Sequence, residues 1–267
     1  MSQFLLDRVQ SLVERAAAYQ RSRFRQMPPG GGDEKSRREF VSDVDITTER
    51  MLTEGLSKLV PEAGICGEEQ GTSGNSSTQW VIDPLDGTTN YLSGLEHYSI
   101  SVALVVDGRA ELGMVYKPQS QECFRAWRGG RFQHNGKVVA QPVPLSLEGA
   151  LLGTGFPYRS PDLAAAFFAC TEAVLPLTRG IRRMGSAALD LSYVAAGFLQ
   201  GFWESDLQVY DVAAGLLFLE MNGCPVTNER GEPYRPGIDR LLVCGWPAVH
   251  QELQPLVGWH YADEPLR

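Results

Sequence analysis

The stretch Trp80-Val81-Ile82-Asp83-Pro84-Leu85-Asp86-Gly87-Thr88-Thr89-Asn90-Tyr91 carries more information than any other part of this chain. With Gln79, its first residues read as a short β-prone run that ends at Asp83-Pro84. Pro84 fixes its own φ and disfavours helix at Asp83. The carboxylates of Asp83 and Asp86 can then converge on one point instead of spreading along a strand. Gly87 permits close backbone approach, and Thr88-Thr89-Asn90 can open a helix whose N–H groups face an anion. Such a place suits cations and a phosphate. Alone, however, a D-P-x-D-G segment is an ordinary turn, so its meaning depends on the rest of the chain.

Upstream, Leu5, Val9, Leu12, Val13 and Ala16 recur at helical spacing. That helix must stop before Pro28-Pro29-Gly30-Gly31-Gly32, which together with Asp33-Glu34-Lys35-Ser36-Arg37-Arg38 reads as a mobile loop. A second helix is expected over about 46–59, with Leu52, Leu56 and Leu59 on one face and Asp45 at the N-cap position. Downstream the period changes to two. Ile100, Val102, Leu104 and Val106 alternate, Asp107-Gly108 turns, and Ala110, Leu112, Met114 and Tyr116 alternate on the return: a β-hairpin. Asn135-Gly136 marks a second hairpin, and Leu151-Leu152-Gly153-Thr154-Gly155 another strand. Helices are expected over 163–175, stopped by Pro176, over 186–196, and over 211–221, capped by Asn222-Gly223; Leu241-Leu242-Val243-Cys244 reads as a buried strand. Hairpins mixed with helices, rather than strict βαβ alternation, predict a layered α+β architecture. The 267 residues suit one unit of two packed halves, about 1–145 and 146–267.

Composition narrows the chemistry. Net charge is −8, from 24 basic and 32 acidic side chains, which argues against broad electrostatic binding to nucleic acid. Two basic clusters, Arg21, Arg23 and Arg25, then Lys35, Arg37 and Arg38, read first as solvated faces. The opening residues meet charge too early for a secretory signal, and no apolar run is long enough to span a bilayer. Five widely spaced cysteines without a C-x-x-C pair point to a reducing cytoplasm rather than to disulfides or zinc. The four histidines are scattered, so a metal here would be a hard, oxygen-bound one.

Further carboxylates stand apart from the central stretch. Gly67-Glu68-Glu69 precedes it, Asp43 and Asp45 lie in Phe40-Val41-Ser42-Asp43-Val44-Asp45, and Glu204 precedes Asp211 in Tyr210-Asp211-Val212-Ala213-Ala214-Gly215. Taken singly, Asp45 and Asp211 are helix N-caps and Glu68-Glu69 a solvated turn.

Taken together, these elements resemble the inositol monophosphatase family, most closely its bacterial members. G-E-E, W-V-I-D-P-L-D-G-T-T-N, a G-S-A-A-L-D-L-x-x-V-A-A-G stretch at 185–197 and a D-x-A-A-G segment occur in the family order, as does V-S-x-x-D at 41–45. The resemblance covers roughly residues 1–255. It implies a layered α-β-α-β-α sandwich, usually a homodimer. It further implies that Glu68, Asp83 and the Leu85 carbonyl bind one Mg²⁺, that Asp83, Asp86 and Asp211 bind a second, and that a third, weaker ion touches Glu68. Thr88 and Asp45 would orient the attacking water, and the N–H groups of Gly87 and Thr88 would hold phosphate oxygens. Glu204, with Gly185, Ser186 and Ala187, would contact the alcohol portion of the substrate. Lys35 is the candidate for a loop lysine near the third ion. The implied reaction is Mg²⁺-dependent hydrolysis of a small phosphate monoester, foremost myo-inositol monophosphate, by direct attack of metal-activated water.

Clustered carboxylates of this kind repel unless cations neutralise them, and two such ions can activate water and stabilise a leaving alkoxide. Relatives with the same metal core cleave histidinol phosphate, fructose 1,6-bisphosphate or 3′-phosphoadenosine nucleotides; others are tied to RNA synthesis through partner proteins. Glu204 favours a polyol because a carboxylate accepts hydrogen bonds from vicinal hydroxyls. Departures from the family pattern are Gln70 after G-E-E, Tyr210 for a tryptophan before Asp211, and Gln200 for an aspartate before Gly201-Phe202. None of them touches a metal carboxylate.

Overall fold

The computed structural model describes residues 3–26, 33–36, 39–75 and 77–262. Helices α1 (Gln3–Arg23) and α2 (Asp43–Leu59) pack together on one face of a large sheet. Strands β1 (Asp33–Ser36) and β2 (Glu39–Val41) form an antiparallel pair between them in sequence. The expected mobile loop is thus partly strand, because residues 33–36 find backbone partners in residues 39–41. The large sheet contains β3 (Gly64–Gly67), β4 (Gly71–Ser73), β5 (Thr78–Asp86), β6 (Ser99–Val106), β7 (Arg109–Lys117), β8 (Glu122–Trp127), β9 (Gln133–His134) and β10 (Lys137–Val138), in the order β10-β9-β8-β7-β6-β5-β3-β4. Both expected hairpins are present. Asp107 and Gly108 (φ 49° and 76°), and Asn135 and Gly136 (φ 49° and 74°), place two consecutive residues in the left-handed region that a primed hairpin turn requires.

After β5 comes the short helix α3 (Thr88–Leu92). The second sheet contains β11 (Leu151–Thr154), β12 (Gly180–Arg182), β13 (Gly201–Ser205), β14 (Val226–Thr227) and β15 (Leu241–Gly245), in the order β12-β11-β13-β15-β14. Helix α4 (Ala164–Val174) packs with α7 (Pro247–Tyr261) on one side of this sheet, while α5 (Ala187–Ala196) and α6 (Val209–Met221) lie between the two sheets.

Strand alternation explains the layering. Along β5, Trp80 and Ile82 face the core beneath α1 and α2, whereas Val81 faces the core shared with α5 and α6. On β13, Phe202 joins that inner core and Trp203 joins the outer core with α4 and α7. Five layers result, α-β-α-β-α, as expected. The inner helices are covered on both sides, so Leu191, Val194, Leu217 and Phe218 are all buried. No helix among the described residues is long and apolar enough to cross a membrane.

Three helix starts differ from the sequence reading. Ser42, not Asp45, caps α2; Asp45 lies three residues on, and its carboxylate accepts a hydrogen bond from the Ser42 N–H in a capping box. Asp211 likewise stands at the third position of α6, accepting from the Gln208 N–H. Asp45 therefore completes a helix start with Oδ2 while its Oδ1 meets Thr88, and Asp211 Oδ2 accepts from both the Gln208 N–H and Arg159. Helix α4 is bracketed by 3₁₀ turns, with Pro176 inside the second.

Candidate functional site

The central stretch breaks the regular ladder where its chemistry begins. Asp83 pairs with Ser101 and Asp86 with Ser99, so three steps on β5 face two on β6 and the strand bulges. Pro84 has no N–H to lose there, and its carbonyl accepts from the buried Gln20 side chain at 2.7 Å. The Leu85 N–H donates to Asp83 Oδ1 at 3.0 Å. Gly87 then takes φ 96° and starts α3, with a would-be Cβ only 3.0 Å from the Gly185 carbonyl oxygen. Asn90 donates to the carbonyls of His97 (2.7 Å) and Met184 (2.8 Å), tying this corner to the segment before α5.

Asp83, Asp86 and Asp211 offer carboxylate oxygens that all lie within 4.8 Å of one another. Glu68, just beyond β3, stands beside Asp83. Burial first, then the charges of Glu68, Asp86 and Asp211, pushes the Asp83 carboxyl well above its usual range. Asp86 is pushed up to about 7 by burial and by Asp211, although Ser186 Oγ and the Ala188 N–H (2.8 Å) donate to it. Glu204 is pushed up to about 8, again by burial first and Asp211 second. Arg159 donates to Asp211 at 3.1 Å, and Arg183 faces Glu204, yet these guanidinium groups offset the strain only in part. The donor set is all oxygen and short of positive charge. It therefore fits hard divalent cations such as Mg²⁺, which Asp83, Asp86 and Asp211, with Glu68 and the Leu85 carbonyl beside them, could hold.

Thr88 Oγ1 lies 3.0 Å from Asp45 Oδ1 and 2.9 Å from the Leu85 oxygen. Burial pushes Asp45 up to about 6 against the opposing bonds from Ser42 and Thr88. A cavity of about 560 Å³ is lined by Glu68, Asp83, Asp86, Gly87, Thr88, Gly185, Ala187, Glu204 and Asp211, so residues from both halves of the chain meet there.

One expected site residue is placed in a way that spacing does not reveal. Ser186 is buried, caps α5, and turns its hydroxyl to Asp86; the cavity wall is made by its neighbours Gly185 and Ala187. The Lys35 side chain lies outside the described residues. Sequence reasoning missed Glu49, whose buried carboxylate accepts from the N–H groups of Glu69 and Gln70, both at 2.8 Å. Gly67 makes room for it, since a Cβ there would overlap the Glu49 carboxylate. Also missed were Arg159 and the wall of Phe156, Tyr158 and Arg183, whose guanidinium carbon lies 5.4 Å and 5.1 Å from the two ring centres. The departures from the motif pattern are structural. Gln200 bridges Leu151 and Gly197, both at 2.8 Å, and Tyr210 packs against the inner core.

A model of the inositol monophosphatase family matches residues 3–258. The chain belongs to the inositol monophosphatase family. Among its relatives, Nus factor SuhB of Xylella fastidiosa is 41% identical over 237 residues, 86% of each chain. The inositol-1-monophosphatase of Rhizobium meliloti is 38% identical over 225 residues, 82% of this chain and 83% of its own. The crystal structure of the extragenic suppressor protein SuhB from Bartonella henselae superposes with a TM-score of 0.87 at 30% identity, covering 96% of this chain and 98% of its own. Family membership of that extent accounts for the layered fold and for the order of the acidic motifs.

Proposed function

We propose that this inositol monophosphatase family member is a Mg²⁺-dependent phosphatase that hydrolyses a small phosphate monoester, foremost myo-inositol monophosphate. The observation that carries this reading is the convergence of Asp83, Asp86 and Asp211 within 4.8 Å on the wall of a cavity that also holds Glu204. Mg²⁺ held by Glu68, Asp83, Asp86, Asp211 and the Leu85 carbonyl would supply a more acidic water and draw charge from the phosphoryl oxygens. The remaining work falls to the protein. Thr88 Oγ accepts a proton from the attacking water while passing its own to Asp45, whose raised affinity for protons suits that role. The first turn of α3 offers the Gly87 and Thr88 N–H groups to the phosphate. Glu204 accepts hydrogen bonds from hydroxyls of the leaving alcohol, and Gly185 and Ala187 shape the wall beside it. No step needs a covalent phosphoenzyme. Two to three Mg²⁺ ions per subunit, a homodimeric assembly and a cytoplasmic setting complete the proposal.

A second reading, contact with proteins of the RNA-synthesis machinery, is favoured by the relative that bears the name Nus factor. Retention of every metal carboxylate of the family pattern favours an active enzyme, and a protein-binding role can coexist with it.

The test is phosphate release from myo-inositol 1-phosphate, glycerol 2-phosphate, fructose 1,6-bisphosphate, histidinol phosphate and 3′-phosphoadenosine 5′-phosphate, each with Mg²⁺ and with EDTA. Metal-dependent release strongest on the inositol ester is the expected result. Absence of release from all five, with Mg²⁺ bound, would overturn the phosphatase reading and leave the protein-binding role.

A further inference from the structure

Glu204 lines the cavity, yet no hydrogen bond holds its carboxylate among the described residues. Its charged neighbours are Asp211, Asp86 and the buried Asp190, which repel it, and Arg183 and Arg159, which attract it. A long, flexible side chain in such a setting needs something else to fix its direction. The strand pairing supplies it. Parallel strands β11 and β13 place Thr154 beside Trp203, and the next residues along each are Gly155 and Glu204. A Cβ on Gly155 would fall inside the van der Waals envelope of the Glu204 Cδ, Oε1 and Oε2 atoms. The carboxylate thus occupies the space that any side chain at 155 would fill.

Gly155 does not adopt a left-handed backbone, so its φ alone does not call for glycine. The main chain of β13 cannot move aside either, because it is hydrogen-bonded between β11 and β15 and carries the fully buried Phe202 and Trp203. The Glu204 side chain, the far end of a flexible group, is then the part that gives way.

We propose that Gly155 is the positioning residue for Glu204: its missing side chain is the slot that holds the carboxylate in register with the substrate's alcohol. The inference rests on the reading of Glu204 as the acceptor of substrate hydroxyls. An alanine at 155 displaces Glu204 by about the width of a methyl group, and misplacement on the 1 Å scale costs on the order of 10²-fold in turnover.

The test compares the wild type, Gly155→Ala, Glu204→Ala and the double variant. Thermal unfolding is measured without substrate. Values of kcat and KM are then measured for myo-inositol 1-phosphate and for p-nitrophenyl phosphate, whose alcohol offers no hydroxyl to Glu204. Gly155→Ala is expected to lower the unfolding midpoint and to reduce kcat/KM on the inositol ester about 10²-fold, with a much smaller loss on the nitrophenyl ester. In the Glu204→Ala background the same substitution should change neither. Equal harm in both backgrounds, or no harm in the wild type, overturns the proposal. If the wild type hydrolyses neither ester, the phosphatase reading fails separately, and the unfolding comparison still decides whether Gly155 seats Glu204.

Discussion

Replacing Asp86 by asparagine should make the metal-free protein more stable while removing its response to Mg²⁺. Burial and Asp211 move the Asp86 carboxyl from 3.8 to about 7. At about 1.36 kcal/mol per pH unit, that displacement opposes folding by ~4 kcal/mol once the group is ionised. The folded state holds the proton more tightly than the unfolded chain. This contribution to stability is therefore complete below about pH 4 and is lost as pH rises towards about 7. An amide at 86 resembles the protonated acid and still accepts from Ser186 Oγ and the Ala188 N–H. The side chain keeps some solvent contact, so screening reduces the gain to about 2 kcal/mol at pH 8. Urea unfolding with EDTA measures it directly: Asp86→Asn should exceed the wild type at pH 8, and the gap should close near pH 4. With Mg²⁺ at about 100 times its Kd, the wild type gains ~2.7 kcal/mol and the variant much less. A variant that is less stable than the wild type in EDTA at pH 8, or one that Mg²⁺ stabilises equally, would refute the account of the cluster.

Three further outcomes follow from the same geometry. Thr88→Val removes the hydroxyl between Asp45 and the Leu85 carbonyl; turnover at saturating Mg²⁺ should fall by about 10² or more while circular dichroism stays native, and a loss of only a few-fold would remove Thr88 from the proton path. Gly87→Ala forces an L-residue to φ 96° with its Cβ 3.0 Å from the Gly185 oxygen; denaturant unfolding should show a loss of about 1–3 kcal/mol, and a neutral result would mean that the corner is more pliant than its contacts imply. Glu49→Gln weakens the grip on the Glu69 and Gln70 N–H groups; calorimetric titration should then show weaker Mg²⁺ binding, with stability lower by about 1–3 kcal/mol, and unchanged metal affinity would separate Glu49 from the site.

Much of the fold was legible from local pattern. The alternation through 100–116 with Asp107-Gly108 between its halves leaves little besides a hairpin, since both the period and the turn residues agree. The expected helices over 186–196 and 211–221 were likewise found as α5 and α6. Strand β13 is not legible because Gly-Phe-Trp-Glu-Ser neither alternates nor forms an unbroken apolar run, nor is α7, because Pro255 and an interrupted apolar face blur its signal. Residues 33–36 passed for loop because their pairing depends on a partner segment rather than on their own composition.

The sequence by itself determined which chemistry is available: oxygen-bearing side chains in place of cysteine or histidine clusters, two aspartates flanking a proline, and motifs in the order of one family; that the strand runs on through Pro84 to Asp86 as a bulge, instead of ending at Asp83-Pro84, came from the structure. Those are properties of residue type and short spacing, and they survive without coordinates. Only the tertiary structure decided where that chemistry converges. It brings Asp211 within reach of Asp83 and Asp86, turns Ser186 inward to Asp86, sets Arg159 on Asp211 and lays Glu204 against Gly155. Each of these contacts joins elements far apart in the chain or on different strands. Their geometry is fixed by how two sheets and the helices between them pack, and no local period encodes that.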